Sequence, residues 1–155
     1  MIIVSDTTAI TSLLKIRRIT VLRDLFGDVL VPKAVRDELL RYHSEIPTFV
    51  LVREVTKQDA VEGLCAIIDQ GEAEAIILAE ELGADALLID DKQGRSIAEN
   101  RGIRCLGLAG ALLMAKQNQI IPNLGDILDA LETEANFYFD PKLRELLLRR
   151  ANEAP

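Results

Sequence analysis

The sequence is poor in the residue types that build the most familiar catalytic and metal centres. Its 155 residues include one histidine, His43, two cysteines, Cys65 and Cys105, and no tryptophan. A zinc site made from histidine and cysteine cannot be assembled from so few ligands, and neither a Cys-His nor a Ser-His-Asp nucleophile system is supported. If the chain is an enzyme, its chemistry must therefore rest on carboxylates.

The few cysteines and the single histidine are predicted to have no catalytic role. Cys65 and Cys105 lie far apart, each in an apolar segment, which predicts two reduced core residues rather than a disulfide. His43 lies in the polar stretch 41–45 and is predicted to be a solvated surface residue.

Long hydrophobic runs are also lacking, and no apolar segment approaches the length that spans a bilayer. Residues 1–5 are apolar, but they lack a basic region and stop at Asp6, which indicates a buried strand rather than a signal peptide. These features predict a cytoplasmic protein without membrane contact.

The formal net charge is −7 at pH 7. Proteins that bind duplex DNA through broad phosphate contacts are normally basic, so this charge argues against a simple DNA-binding module. It does not argue against a nuclease, because acids that hold a metal make a chain acidic while the bound metal reverses the local sign. Two basic groups are interpreted as solvated helix faces in preference to a substrate-contacting strip: Lys92, Arg95, Arg101 and Arg104, and Lys142, Arg144, Arg149 and Arg150.

Short β-type runs alternate with helical patterns along the whole chain. Strands separated by helices predict a mainly parallel sheet with helices on both faces, which is a single three-layer α/β/α domain over residues 1–155. Within it, residues 123–155 are predicted to form a helical C-terminal extension, whose last helix begins at Asp140 and Pro141. Residues 49–55 predict a strand without an obvious partner, and residues 137–139 predict either an edge strand or an anchor for the last helix.

Acidic residues follow two of the predicted strands. Asp6 comes after the run 2–4, and Asp90 and Asp91 come after the run 87–89. Sites in open parallel sheets form outside the carboxyl ends of strands, so both places are candidates for chemistry. Each acid could instead cap the next helix, and a capping role is the better interpretation for Thr7 and Thr8.

A further acid lies in an unusual place on a helix. The segment 71–79, which contains Glu72 and Glu74, is apolar almost all round and indicates a buried helix. Glu72 shares a face with Ile76, so its charge needs a partner, yet no lysine or arginine occurs between Lys57 and Lys92. A bound cation is the partner that this pattern favours.

Together these acids offer a set of hard oxygen ligands: Asp6, Glu38, Glu72, and Asp90 or Asp91. Such ligands suit Mg²⁺ or Mn²⁺. Without a cation the acids should repel one another, which predicts a raised pKa for at least one of them. Glu38, in the helix that follows Pro32, would by itself be an ordinary exposed residue.

Four short segments occur in a consistent order: Ile-Val-Ser-Asp6-Thr-Thr, Val31-Pro32-x-x-Val35-x-x-Glu38-Leu, Gly71-Glu72-Ala-Glu74-Ala and Leu-Leu-Ile-Asp90-Asp91-Lys. Over residues 1–115 they resemble the PIN-domain superfamily, and most closely its VapC-like nuclease branch. The resemblance implies a parallel α/β/α fold, three or four carboxylates that bind Mg²⁺ or Mn²⁺, and endoribonuclease activity on RNA. It also implies a homodimer and, if the chain is the toxin of a toxin–antitoxin pair, a small antitoxin protein.

The sequence departs from the toxin pattern in two ways, and each leaves two candidate residues for one of the metal ligands. The third acid is usually aspartate, whereas here Glu72 and Glu74 compete for the position, and the fourth is usually a single aspartate. The spacing from Gly83 favours Glu72 as the third acid and Asp90 as the fourth. The residue type at the strand end favours Asp91 as the fourth acid instead. We therefore predict five catalytic residues, of which Glu38 reaches the metal through water and the others are candidate direct ligands: Asp6, Glu38, Glu72, Asp90 and Asp91.

Other functions remain as alternatives. The first is a PIN-like domain without catalysis that binds nucleic acid or protein. A phosphoacceptor regulatory domain is disfavoured because its acidic pair follows the first strand, whereas here the pair comes late. A dinucleotide-binding domain is disfavoured because no GxGxxG motif occurs. The apolar residues 108–115 and 137–139 also suggest a surface for homodimerisation.

Overall fold

The computed structural model describes residues 1–153, so the last two residues of the predicted extension 123–155 lie outside the described residues. The strands are β1 Ile3–Ser5, β2 Val29–Val31, β3 Val50–Val52, β4 Ala86–Leu88 and β5 Cys105–Leu106. The helices are α1 Thr7–Lys15, α2 Thr20–Phe26, α3 Lys33–Tyr42, α4 Gln58–Cys65, α5 Gln70–Leu82, α6 Lys92–Asn100, α7 Leu108–Gln117, α8 Leu124–Glu134 and α9 Pro141–Arg150.

The five strands form one sheet in the order β3-β2-β1-β4-β5, and every neighbouring pair is parallel. The predicted parallel sheet is thus confirmed. The strand predicted at 49–55 is shorter, and its partner is β2, with Val29 opposite Val50 and Val31 opposite Val52.

Alternate residues of the central strands supply two hydrophobic cores, one on each face of the sheet. Ile3 and Leu88 belong to the core under α1, α2, α3, α7, α8 and α9. Val4 and Leu87 belong to the core under α4, α5 and α6. Successive side chains of a strand point to opposite faces, so short apolar strands produce the predicted α/β/α layers.

Helix ends follow the local signals in the sequence. Gly83 ends α5 with φ of 57°, a left-handed conformation that glycine adopts without a steric penalty. Asp140 accepts from the Lys142 N–H, with Pro141 in the first turn of α9. Helix α6 begins two residues earlier than the predicted residue 94, because Asp91 caps it by accepting from the Gly94 N–H.

The aromatic segment 137–139 anchors the last helix and forms no strand. Phe139 is buried, and its ring centroid lies 5.0 Å from that of Phe137. Helix α7 also packs inward, with Leu108 and Leu112 fully buried. The apolar residues of this helix therefore complete the monomer's core, which removes one reason for predicting a homodimer.

One prediction about a single residue is wrong. Cys65 is exposed rather than in the core, because α4 turns only Val61 and Leu64 inward. His43 is partly exposed at the end of α3, and its Nε2 lies 2.6 Å from the Thr11 hydroxyl. No helix among residues 1–153 is long and apolar enough to cross a membrane.

The strand order positions the candidate site. From β1 the chain moves outward through β2 to β3, and then returns to the opposite side of β1 to form β4. In parallel sheets such a reversal opens a crevice at the carboxyl ends of the two central strands. Asp6 follows β1 at this point, and its N–H donates to the Leu88 carbonyl at the end of β4 over 3.0 Å.

Candidate active site

Asp6 is a buried carboxylate at the end of β1. Its side chain is 4% exposed, and it caps α1 by accepting from the Thr8 N–H at 3.2 Å. Burial raises the pKa of Asp6 to about 8, with additional contributions from the negative charges of Asp90, Asp69 and Glu38. The Thr8 hydrogen bond lowers this pKa but does not offset the burial. A capping role and a functional role therefore coexist in this residue.

Glu72 lies close to Asp6, in the first turn of α5. Its own N–H donates to Asp69, the N-cap of that helix, over 2.8 Å. Burial raises the pKa of Glu72 to about 9, as do a side-chain hydrogen bond to Asp69 and the charges of Asp69, Asp91 and Asp6. The expected repulsion among the acids is thus present, although desolvation is the larger cause.

Glu38 approaches the same place from α3. Its Oε2 accepts from the Thr7 hydroxyl at 2.9 Å, so Thr7 links α1 to α3 rather than capping its own helix. A β-carbon added at Gly71 would lie 3.3 Å from Glu38 Oε2 and 3.6 Å from Asp69 Oδ1. Glycine at the start of α5 thus lets α3 and its carboxylate come close to the loop before α5.

Four carboxylates from these elements converge on one small cavity of about 40 Å³. A space of this size holds an ion or a few water molecules. We refer to the four as the acid cluster: Asp6, Glu38, Asp69 and Glu72.

Asp90 and Asp91 do not line this cavity, but the charge of Asp90 acts on Asp6 and that of Asp91 acts on Glu72. Both oxygens of Asp90 accept from the Leu108 N–H at the start of α7, at 3.1 and 3.3 Å. Burial raises the pKa of Asp90, which the hydrogen bond and the nearby Arg95 lower in part. Asp91 caps α6, where a β-carbon added at Gly94 would lie 3.1 Å from Glu72 Oε2 and 3.5 Å from Asp91 Oδ2.

Glu74, the competitor of Glu72 in the sequence, points elsewhere. It is only 7% exposed, and it accepts from the Ala34 N–H at 3.1 Å and from the Gln70 side chain at 2.9 Å. Ala34 is in the first turn of α3, whose N-cap Pro32 has no side-chain acceptor to offer. The carboxylate of Glu74 therefore accepts a hydrogen bond from a backbone N–H at the start of the neighbouring helix α3, and its role is structural.

Among residues 1–153 no lysine or arginine forms an ion pair with the acid cluster. Buried carboxylates without a cationic partner are costly, and their hard oxygens are the donors that Mg²⁺ and Mn²⁺ prefer. Within the same residues no three acids are close enough to hold a metal ion as they are placed, so metal binding would require the carboxylates to move together.

The family model of the PIN domain matches residues 2–153. The chain belongs to the PIN domain family. PIN domains are generally nucleases and typically use divalent metal ions, so the finding supports a hydrolase at this coarse level. The match also extends beyond residue 115, where the sequence resemblance ended, and includes α8 and α9.

A solved structure shows the same fold. It is a PilT N-terminus domain protein from the hyperthermophilic archaeon Sulfolobus solfataricus P2, with 20% sequence identity and a TM-score of 0.57. The similarity covers 74% of this chain and 93% of that one. At this identity the likeness supports the PIN fold alone. The search of curated proteins gave no match.

Sequence reasoning missed Asp69. It is exposed and precedes a helix, so it resembles an ordinary cap. The signal that was available is the spacing from Asp69 to Glu72, which is the acid-x-x-glutamate pattern of a capping box at the start of a buried helix. A cap that faces other carboxylates contributes charge to the site as well as helix stability.

Proposed function

We propose that this PIN domain is a metal-dependent endoribonuclease that hydrolyses phosphodiester bonds of single-stranded RNA. The observation that carries the proposal is the convergence of Asp6 and Glu72, with pKa values of about 8 and 9, on a cavity without a cationic side chain. Both carboxyls are costly to ionise there, and a divalent cation would stabilise their ionised forms.

The ligand roles follow from the positions of the acids. Asp6 and Glu72 would hold Mg²⁺ or Mn²⁺ together with Asp90, whose charge acts on Asp6, or Asp91, whose charge acts on Glu72. When bound, such a metal lowers the pKa of water and offsets charge on the phosphoryl oxygens. Glu38, fixed by the Thr7 hydroxyl, would orient a water molecule beside the metal ligands.

The resemblance to VapC-like nucleases supports narrower proposals. These are that the chain is the toxin of a toxin–antitoxin pair, that it forms a homodimer with a small antitoxin as a further partner, and that it acts in the cytoplasm. Sedimentation of the purified protein at tens of micromolar, the scale of ordinary dimer affinities, would test the homodimer.

Cleavage of a labelled single-stranded RNA tests the main proposal. We expect cleavage with Mn²⁺, none with excess EDTA, and loss of activity in Asp6→Asn. Asp59→Asn is the matched control, because Asp59 is an exposed acid in the first turn of α4, far from the cavity. Equal cleavage with EDTA would contradict the metal mechanism. No cleavage under any condition would favour the alternative of a non-catalytic binding domain.

A further inference from the structure

A second concave surface lies on the β4 side of the acid cluster. It has a volume of about 540 Å³ and is lined by Asp90, by residues of α7 and α9 and by the aromatic segment 137–139. We call it the C-terminal groove. Asp90 follows β4, the neighbour of the strand that Asp6 follows, so the groove lies next to the candidate active site.

Both basic and acidic side chains line this groove, and the basic ones outnumber the acids: Lys92, Arg95 and Arg150 against Asp90 and Asp140. None of the three cations forms an ion pair with a carboxylate within residues 1–153. Arg95 acts on Asp90 at longer range and lowers its pKa. A β-carbon added at Gly107 would lie 3.2 Å from Arg95 Nη1 and 3.0 Å from Asp90 Oδ1. The groove thus has an excess of cations in a chain with net charge −7.

The two basic groups of the sequence are divided between the groove and the surrounding surface. Arg101 pairs with Glu80, and on α9 Arg144 pairs with Asp129 and Arg149 with Glu145. Most side chains of both groups are exposed, as expected for solvated helix faces, and only part of each group lines the groove.

The rim and floor of the groove are apolar and aromatic. Tyr138 is 72% exposed on its rim, between Phe137 and Phe139, whose rings pack together. Leu143 and Leu146 are also exposed, at 40% and 39%. An exposed aromatic ring gives a base a flat surface on which to stack.

From this arrangement we infer that the C-terminal groove binds the RNA strand next to the scissile phosphate. Lys92, Arg95 and Arg150 bind backbone phosphates there, and Tyr138 stacks on a base. The inference rests on the proposed nuclease function and deepens it, because it assigns a path to the substrate. An apolar protein segment would also fit the apolar lining, but the excess of cations and the presence of Asp90 in the lining match a polyanion that must reach Asp90.

Binding of a fluorescein-labelled single-stranded RNA to the full chain tests this inference. Fluorescence anisotropy in EDTA measures binding while the proposed chemistry is stopped. Tyr138→Ala should weaken binding about fivefold or more, as expected for the loss of one stacked base, and Tyr138→Phe should retain it. The RNA association constant falls as the salt concentration rises. In Arg150→Gln the slope of log K against log salt should be less steep by about 0.7, the value for one phosphate contact with a single strand.

The chain contains matched controls. Tyr42 is also 72% exposed but lies on α3, and Arg149 adjoins Arg150 but pairs with Glu145. Tyr42→Ala and Arg149→Gln should leave affinity and salt slope unchanged, and thermal melts should show that all variants fold.

Three results would overturn the inference. Absence of RNA binding by wild type in EDTA is the first, because the groove's cations require no metal. Equal affinities for the groove variants and their controls is the second. The third is an altered oligomeric state of Tyr138→Ala with unchanged RNA binding, which would assign the groove to a protein contact. Mn²⁺-dependent cleavage that persists in any of these cases would leave the nuclease proposal standing.

Discussion

A buried and a half-buried carboxylate of one helix, two residues apart, have opposite surroundings. Glu74 accepts hydrogen bonds from the Ala34 N–H and the Gln70 side chain. Glu72 faces Asp6, Asp69 and Asp91, and its pKa rises to about 9. Helix α5 packs against both α3 and β1, and side chains two residues apart lie on different faces of a helix, so the two glutamates meet different neighbours.

The difference shows how burial alone fails to identify a functional acid. Glu74 is the more buried of the two, yet its donors make it part of the scaffold. Glu72 has acids where donors would be expected, and such an arrangement stabilises the fold poorly. Charge left uncompensated by the fold is a feature of a binding site.

The contrast between Glu72 and Glu74 is tested most strongly by neutralising each glutamate in turn and measuring RNA cleavage with Mn²⁺. Glu72→Gln should lower the rate by about a hundredfold or more, since metal-assisted charge stabilisation is worth several kcal/mol. Glu74→Gln should keep the rate within a few-fold. The reverse ranking would show that the ligand on α5 has been assigned to the wrong face.

The free energy of unfolding should rank the two glutamates in the opposite order, with the larger effect at Glu74. Glu74→Ala should lower the free energy of unfolding by about 1–3 kcal/mol, because the Ala34 N–H and the Gln70 amide lose their acceptor. Glu72→Ala in EDTA should lower it less, because a carboxyl whose pKa is raised in the folded state, and which must take up a proton on folding at pH 7, disappears with the side chain. Urea titrations measure both, and a larger loss for Glu72→Ala would mean that Glu72 is the structural acid.

A smaller effect should appear in the pH dependence of Mn²⁺ binding. Near pH 7 Asp6 and Glu72 hold protons, since their pKa values of about 8 and 9 lie above this pH. A ligand must be ionised, so metal displaces these protons, and affinity should rise about tenfold per pH unit for each proton until the pH exceeds the raised pKa values. Calorimetry in two buffers counts the protons. An affinity that is constant from pH 6 to 8 would contradict the assignment.

Much of the fold was predictable because its signals are local. Alternating strands and helices, Gly83 at a helix end and the Asp140-Pro141 pair each depend on a few neighbouring residues. The partner of β3 was harder to predict, because β3 is an edge strand that contacts only β2, and no local pattern indicates which strand an edge strand joins.

The site was predictable to the extent that strand ends determine it. Asp6 and Asp90 follow β1 and β4, which are neighbours in the sheet, so topology brings them together. Asp69 was missed because a loop acid before a helix has an ordinary explanation. The C-terminal groove was missed because it exists only after Phe139 and α9 pack on α7, and no local pattern encodes that contact.

Thermal melts of wild type and Asp6→Asn, each with EDTA and with Mn²⁺, test most directly whether Asp6 is a metal ligand. Wild type should gain about 2.7 kcal/mol of stability when free Mn²⁺ is a hundredfold above its Kd. Asp6→Asn should be at least as stable as wild type in EDTA, because a buried acid with a raised pKa is gone, and it should lose most of the gain from Mn²⁺. Equal gains in both proteins would mean that Asp6 only caps α1, and the nuclease proposal would lose its central residue.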